Sequence, residues 1–186
     1  MHRWGHVGYL ARYLAGWHTV YKMLETEQQE SLEGVESTPE SICTWVAKNF
    51  GVKKAEIALL EVTGTLLKFV YPAELKTVGA IPVSSSAVAA RTARNKRAEL
   101  FNTFTRVKHS SVFEVVKIGE GGSGEVIQKL MSAPVYAESG DVIGVVQVSR
   151  KSDTPRTAGP DFTSEDLRKL QSVAVAVGKL MSKNKS

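Results

Sequence analysis

The stretch Ser132-Ala133-Pro134-Val135-Tyr136-Ala137-Glu138-Ser139-Gly140-Asp141-Val142-Ile143-Gly144-Val145-Val146-Gln147-Val148 sets two β-prone runs around a polar turn. Branched and aromatic side chains fill both runs, and Glu138 to Asp141 supply the small and polar groups that reverse a chain. This predicts two adjacent antiparallel strands central to a sheet. Within them Gln147 is the exception. An amide in an apolar strand must face water or be buried with partners, which makes Gln147 a candidate pocket-lining group.

Downstream, after a loop from Lys151 to Pro160, Thr163 and Asp166 have capping-box spacing, and Phe162 and Leu167 sit where a hydrophobic staple would. They predict the start of a last helix. Its apolar residues Leu167, Leu170, Ala174, Val177 and Met181 alternate steps of three and four, widened by Val173 and Leu180, which is the spacing of a seam. The N-terminal segment shows the same steps at Leu10, Tyr13, Trp17, Val20 and Leu24, predicting a helix over about Val7 to Leu32. Leu10, Tyr13, Trp17, Val20, Leu24, Leu170, Ala174, Val177 and Met181 are therefore the candidate contacts of a homodimer, although the same spacing suits packing within one subunit.

Between these ends, Thr38-Pro39-Glu40 predicts a capped helix from Pro39 to Asn49 that stops at Gly51. Glu56 to Tyr71 reads as a hairpin split at Thr63-Gly64, and Ala80 to Val83 as a short extended piece. Ser84, Ser85 and Ser86 are N-cap candidates for a helix through Ala87 to Arg94, followed by a short strand over Ala98 to Phe101. In Asn102 to Lys129, Val112, Phe113, Val115, Val116 and Ile118 suit a strand or a short helix, with strand favoured, before a glycine cluster.

The 186 residues are 42% hydrophobic and 23% charged, which suits one globular domain and excludes disorder. No apolar run reaches the roughly 18 residues needed to cross a bilayer, and Met1-His2-Arg3-Trp4 lacks the pattern of a secretory signal, so a cytoplasmic protein without a membrane partner is expected. The single cysteine, Cys43, excludes a Cys-x-x-Cys pair, an intramolecular disulfide and a cysteine-based zinc ribbon. There are 24 Lys and Arg against 19 Asp and Glu, a net charge of +5. The basic residues Arg91, Arg94, Lys96, Arg97, Arg106 and Lys108 and the tail at Lys179, Lys183 and Lys185 read as a solvated face and a solubilising tail rather than a nucleic-acid surface.

Gly119-Glu120-Gly121-Gly122-Ser123-Gly124-Glu125-Val126 matches a glycine-rich phosphate loop letter by letter. The lysine and aspartates that a kinase needs downstream are missing, and the acid a dinucleotide site needs falls in a turn at Asp141, so the stretch reads as a loop. His2 and His6 lack the third ligand of a metal site. No metal and no cofactor are expected.

The order of elements resembles the GAF domain family. The similarity is carried by Val78 to Ser84 followed by Ala87 to Arg94, by Ser132 to Val135 with Asp141 to Val148, and by Asp161-Phe162-Thr163-Ser164-Glu165-Asp166-Leu167. The resemblance implies an α+β fold: an antiparallel sheet of about six strands, the terminal helices on one face and a small-molecule pocket on the other. The resemblance covers about Thr38 to Leu180; with the readings above, the chain divides into an N-terminal helix over 1–37, a candidate dimerisation element, the GAF-like domain over 38–182 and a basic tail over 183–186. By position, it also implies that Phe69, Tyr71, Ser84, Ser85, Ser86, Phe101, Asn102, Phe113 and Gln147 line the pocket.

The departures narrow the function. The ordered signature of cyclic-nucleotide-binding members and the bilin-attaching cysteine have no counterpart. The free methionine sulfoxide reductases of the family use several cysteines where this chain has one. The expectation is a non-catalytic sensor that binds an unidentified small molecule and signals through its terminal helices, dimerisation or a partner protein. The rival readings are a ligand-free interaction module of the same fold, a phosphate or nucleic-acid binder, and a reductase using Cys43 with an external thiol.

Overall fold

A computed structural model describes residues 34–77, 79–104 and 126–183. Leu10, Tyr13, Trp17, Val20, Leu24 and Phe113 lie outside the described residues, as does the glycine cluster up to Glu125.

The first helix, α1, spans Pro39–Phe50 for the reasons its sequence suggests. Thr38 Oγ1 accepts the Ser41 N–H at 3.2 Å, Pro39 occupies the first turn, and Gly51 ends the helix in the left-handed region at φ 58°. The strands are β1 Ile57–Thr63, β2 Leu66–Tyr71, β3 Ala80–Pro82, β4 Glu99–Phe101, β5 Val126–Tyr136 and β6 Val142–Ser152. Helix α2, Val88–Asn95, joins β3 to β4, and α3 spans Ser164–Lys183. The six strands form one antiparallel sheet in the order β3-β2-β1-β6-β5-β4. The β5–β6 hairpin read from the sequence is thus internal to the sheet, and each of its strands runs to 11 residues.

Period-two alternation gives the sheet two apolar faces. On one, Ile57, Leu59, Met131, Ala133, Val135, Val146 and Val148 pack against α1 and α3. On the other, Ala58, Leu60, Leu67, Phe69 and Val145 pack against Ala87, Ala89, Ala90 and Ala93 of the α2 segment. Small residues on α2 let it lie close to the strands.

The start of α3 follows its sequence. The Thr163 N–H donates to Asp166 Oδ2 at 2.7 Å, and the Asp166 N–H donates to Thr163 Oγ1 at 3.1 Å. The α3 seam, in contrast to that expectation, is covered within its own chain. Leu170, Ala174, Val177 and Met181 are buried in the core of their own chain, with Leu170 and Val177 at 0% exposure. Three-four spacing marks a stripe that needs covering, and here the sheet covers it.

The serine triplet also departs from expectation. The N-cap of α2 is Ala87, which caps with no side chain, while Ser85 Oγ accepts the Ala87 N–H at 3.4 Å one position before the helix begins. Among the described residues, no helix is long and apolar enough to cross a membrane.

Candidate functional site

The site is built on the α2 face. Strand pairing aligns four side chains in one row across the sheet: Ala58 of β1, Gln147 of β6, Ser132 of β5 and Glu99 of β4. Valines on either side of Gln147 point to the helical layer, so the amide points to α2. Gln147 is 5% exposed and its Nε2 donates to Ser132 Oγ at 3.2 Å. Ser132 Oγ also accepts from Thr92 Oγ1 of α2 at 2.8 Å. Among the described residues Gln147 has no other side-chain partner, which leaves one amide proton and Oε1 able to bond an incoming group. Ala58, beside it, is apolar and offers no polar partner.

One row away, Ser149 Oγ donates to the Glu56 carbonyl at 2.8 Å. The Glu56 carboxylate is itself buried, accepting the Lys53 and Lys151 N–H groups at 2.7 Å each, so it ties the start of β1 to β6. At the other end of the row, Arg91 of α2 grips Glu99 through Nε, at 3.1 and 2.9 Å to the two carboxylate oxygens, and through Nη2 at 2.9 Å. The Arg91 guanidinium also lies 5.5 Å from the centroid of the Phe101 ring, which meets Phe104 edge-on at 6.1 Å. The site therefore has a neutral polar floor flanked by an internally compensated ion pair and aromatic walls.

The remaining candidates are divided. Phe69 lies on the α2 face, but Tyr71 does not join it. Two residues apart in a regular strand they would share a face; Leu59 pairs with Tyr71 while Leu60 pairs with Phe69, so Val70 is an extra residue and the alternation reverses. Tyr71 belongs to the α1/α3 core, where burial first and the Glu40 carboxylate second push its phenol up to about 12. Ser84 and Ser86 are exposed on the turn before α2, and Ser85 is half-buried. That turn is held by Arg94, whose Nη1 donates to the Val83 and Ser85 carbonyls at 2.6 and 3.2 Å. Asn102 makes a two-way contact with the backbone of Phe162 rather than lining the floor: its Nδ2 donates to the Phe162 carbonyl and its Oδ1 accepts the Phe162 N–H, each at 2.9 Å. Sequence reasoning missed Ser132, Thr92, Ser149 and Glu99, and read Arg91 only as part of a solvated basic face. Strand register and the packing of α2 on the sheet bring them to one surface.

Cys43 is fully buried on the α1/α3 face, with the sheet between it and Gln147. Burial chiefly, with the Glu40 carboxylate, pushes its thiol far above the ordinary range, so it stays protonated at neutral pH. A thiol reagent should label native protein at least about 100-fold more slowly than protein in denaturant, since labelling needs local opening. Fast native labelling would refute this placement. Among the described residues no group of three or more His, Cys, Asp or Glu is arranged to hold a metal ion.

No protein-family model and no curated protein matches the sequence. Solved structures do match the architecture. The GAF domain of an Acinetobacter phosphoenolpyruvate-protein phosphotransferase superposes with a TM-score of 0.61 at 9% identity, covering 89% of this chain and 95% of that one. The chain has the GAF fold. Another GAF-fold neighbour is the A. aeolicus nlh2 GAF domain in an inactive state, with a TM-score of 0.56 at 14% identity over 88% of this chain and 96% of that one. A third is a type II free methionine-R-sulfoxide reductase from Thermoplasma acidophilum, with a TM-score of 0.54 at 13% identity over 86% and 96%. That enzyme corrects the expectation of a non-catalytic chain. The same fold is an enzyme there, at a coverage of this chain within a few per cent of the other neighbours, so a count of cysteines does not assign this chain to the non-enzymes.

Proposed function

We propose that this GAF-fold chain is a regulatory domain that binds a small molecule on the α2 face and passes occupancy to a partner protein through its helical layer. The observation that carries this is Gln147, a nearly buried amide with hydrogen-bonding capacity left over. A ligand that bonds the free amide proton and Oε1 of Gln147 replaces solvent at a half-closed polar group and gains orientation. Ala58, Leu60, Phe69 and Val145 make the rest of that face apolar. The charged pair Arg91–Glu99 is satisfied internally, so the floor favours an uncharged hydrogen-bonding group over a phosphate.

Native and then denaturing mass spectrometry of the purified chain tests the reading. A non-covalent mass retained in the native protein and released on unfolding is expected, and Gln147→Leu should lower its occupancy at least about ten-fold, the equivalent of one lost hydrogen bond in a desolvated site. If the retained mass is unchanged in Gln147→Leu, the α2-face site is wrong. If native protein carries no mass and a panel of uncharged metabolites gives no thermal shift, the ligand-free interaction module takes its place.

A further inference from the structure

The short strand β4 holds both faces of the sheet at once. Glu99 and Phe101 point to the α2 face, the first gripped by Arg91 and the second lying against the same guanidinium. Leu100 between them packs against the α1/α3 core. The next residue, Asn102, holds both backbone polar groups of Phe162, the residue just before the α3 capping box. β4 itself pairs with β5 through only three residues, Glu99, Leu100 and Phe101. An edge strand with so short a ladder is the part of a sheet most easily displaced.

The segment that Asn102 grips is fastened by two further side chains, Lys129 and Arg150. Lys129 Nζ donates to the Gly159 carbonyl and pairs with Asp161 Oδ1, each at 2.6 Å, although the lysine side chain is 6% exposed. The Arg150 guanidinium stacks 4.8 Å from the centroid of the Phe162 ring. Those two side chains come from β5 and β6, the internal strands. Among these contacts only that of Asn102 comes from the end of β4, the strand whose Glu99 and Phe101 face α2.

We infer that β4 is a coupling element and Asn102 its positioning residue: a change at the Arg91–Glu99–Phe101 end of the α2 face reaches the start of α3 by opening or closing the Asn102–Phe162 contact. The inference deepens the proposed function by naming the route from the site to the helical layer, and it rests on that reading for the nature of the signal. The coupling itself needs no ligand. Its physical content is a discrete contact with two states, made or broken, whose balance both ends bias.

The Phe162 amide reports that contact directly, because its N–H donates to Asn102 Oδ1. Amide exchange is measured by NMR on the full chain for wild type, Glu99→Gln, Asn102→Ala and the double variant, with the Val146 amide as a reference for global opening. Asn102→Ala should accelerate Phe162 exchange about ten-fold or more relative to Val146. Glu99→Gln, which keeps shape and loses the charge, should accelerate it about three-fold in the Asn102 background and not at all in Asn102→Ala. Equal acceleration in both backgrounds, or none in either, overturns the coupling. If Asn102→Ala does not fold, Asn102→Leu, which keeps about the same volume but can neither accept the Phe162 N–H nor donate to its carbonyl, replaces it with the same expected loss of response. A protein that retains no ligand yet shows the non-additive response keeps the coupling and loses the ligand reading. A ligand binder with additive responses does the reverse.

Discussion

Gly178→Ala should destabilise the protein by about 3 kcal/mol, the upper part of the range for forcing extra volume into a packed interior. An alanine Cβ at this position would lie 2.1 Å from the Tyr136 carbonyl oxygen and 3.2 Å from the carbon of that carbonyl. Both are backbone atoms, so no rotamer change relieves the contact. Helix and strand must separate instead, and α3 is tied along its length by Leu170, Val173, Ala174, Val177 and Met181. Helix propensity alone argues the other way, since alanine is favoured over glycine by about 1 kcal/mol in a helix interior. The sign of the measured change therefore decides between a helix that touches the end of β5 and one that does not. Urea unfolding, or a fall in Tm of about 10 °C at this chain length, would report it. A neutral or stabilising Gly178→Ala would mean that α3 does not approach Tyr136 so closely. Gly144, whose added Cβ would lie 2.5 Å from the Leu60 carbonyl oxygen, marks a second close approach, on β6.

Leu170→Ala should cost about 3–5 kcal/mol, and the loss should not depend on protein concentration. Leu170 is fully buried among α1, α3 and the sheet, so its truncation leaves a cavity in one chain. A seam residue between subunits behaves differently: its loss weakens association, and apparent stability then rises with concentration by mass action. Denaturation midpoints at concentrations ten-fold apart separate the two. Coincident midpoints, uniformly lowered from wild type, are expected. Midpoints that move with concentration in the variant would restore Leu170 to an interface between subunits.

Much of the fold was readable because local chemistry and tertiary demand agree. Thr38-Pro39 and Gly51 bound α1, Thr163 and Asp166 start α3, and the two β-runs around Ser139-Gly140 form β5 and β6. These features depend on residues within a few positions of one another. The site was less readable. Gln147 stood out as a polar residue in an apolar strand, but its partner Ser132 is 15 residues away and Thr92 is 40 residues from Ser132. Such pairs follow from register, which local patterning does not contain.

Tyr71 and Asn102 show the limit most clearly. Period-two counting puts Tyr71 beside Phe69, and one bulged residue moves it to the other face of the sheet. Position in the fold makes Asn102 a pocket residue, yet its amide is spent on Phe162, 60 residues later. By itself the sequence determined the caps of α1 and α3, the β5–β6 hairpin, the order of elements and the stripe on α3 that needs burial, because capping, turn geometry and apolar periodicity are set within a few residues. The tertiary structure decided what covers that stripe, which face each side chain takes beyond the bulge, and which distant polar groups meet. Those outcomes depend on strand register and on backbone approaches of a few ångströms.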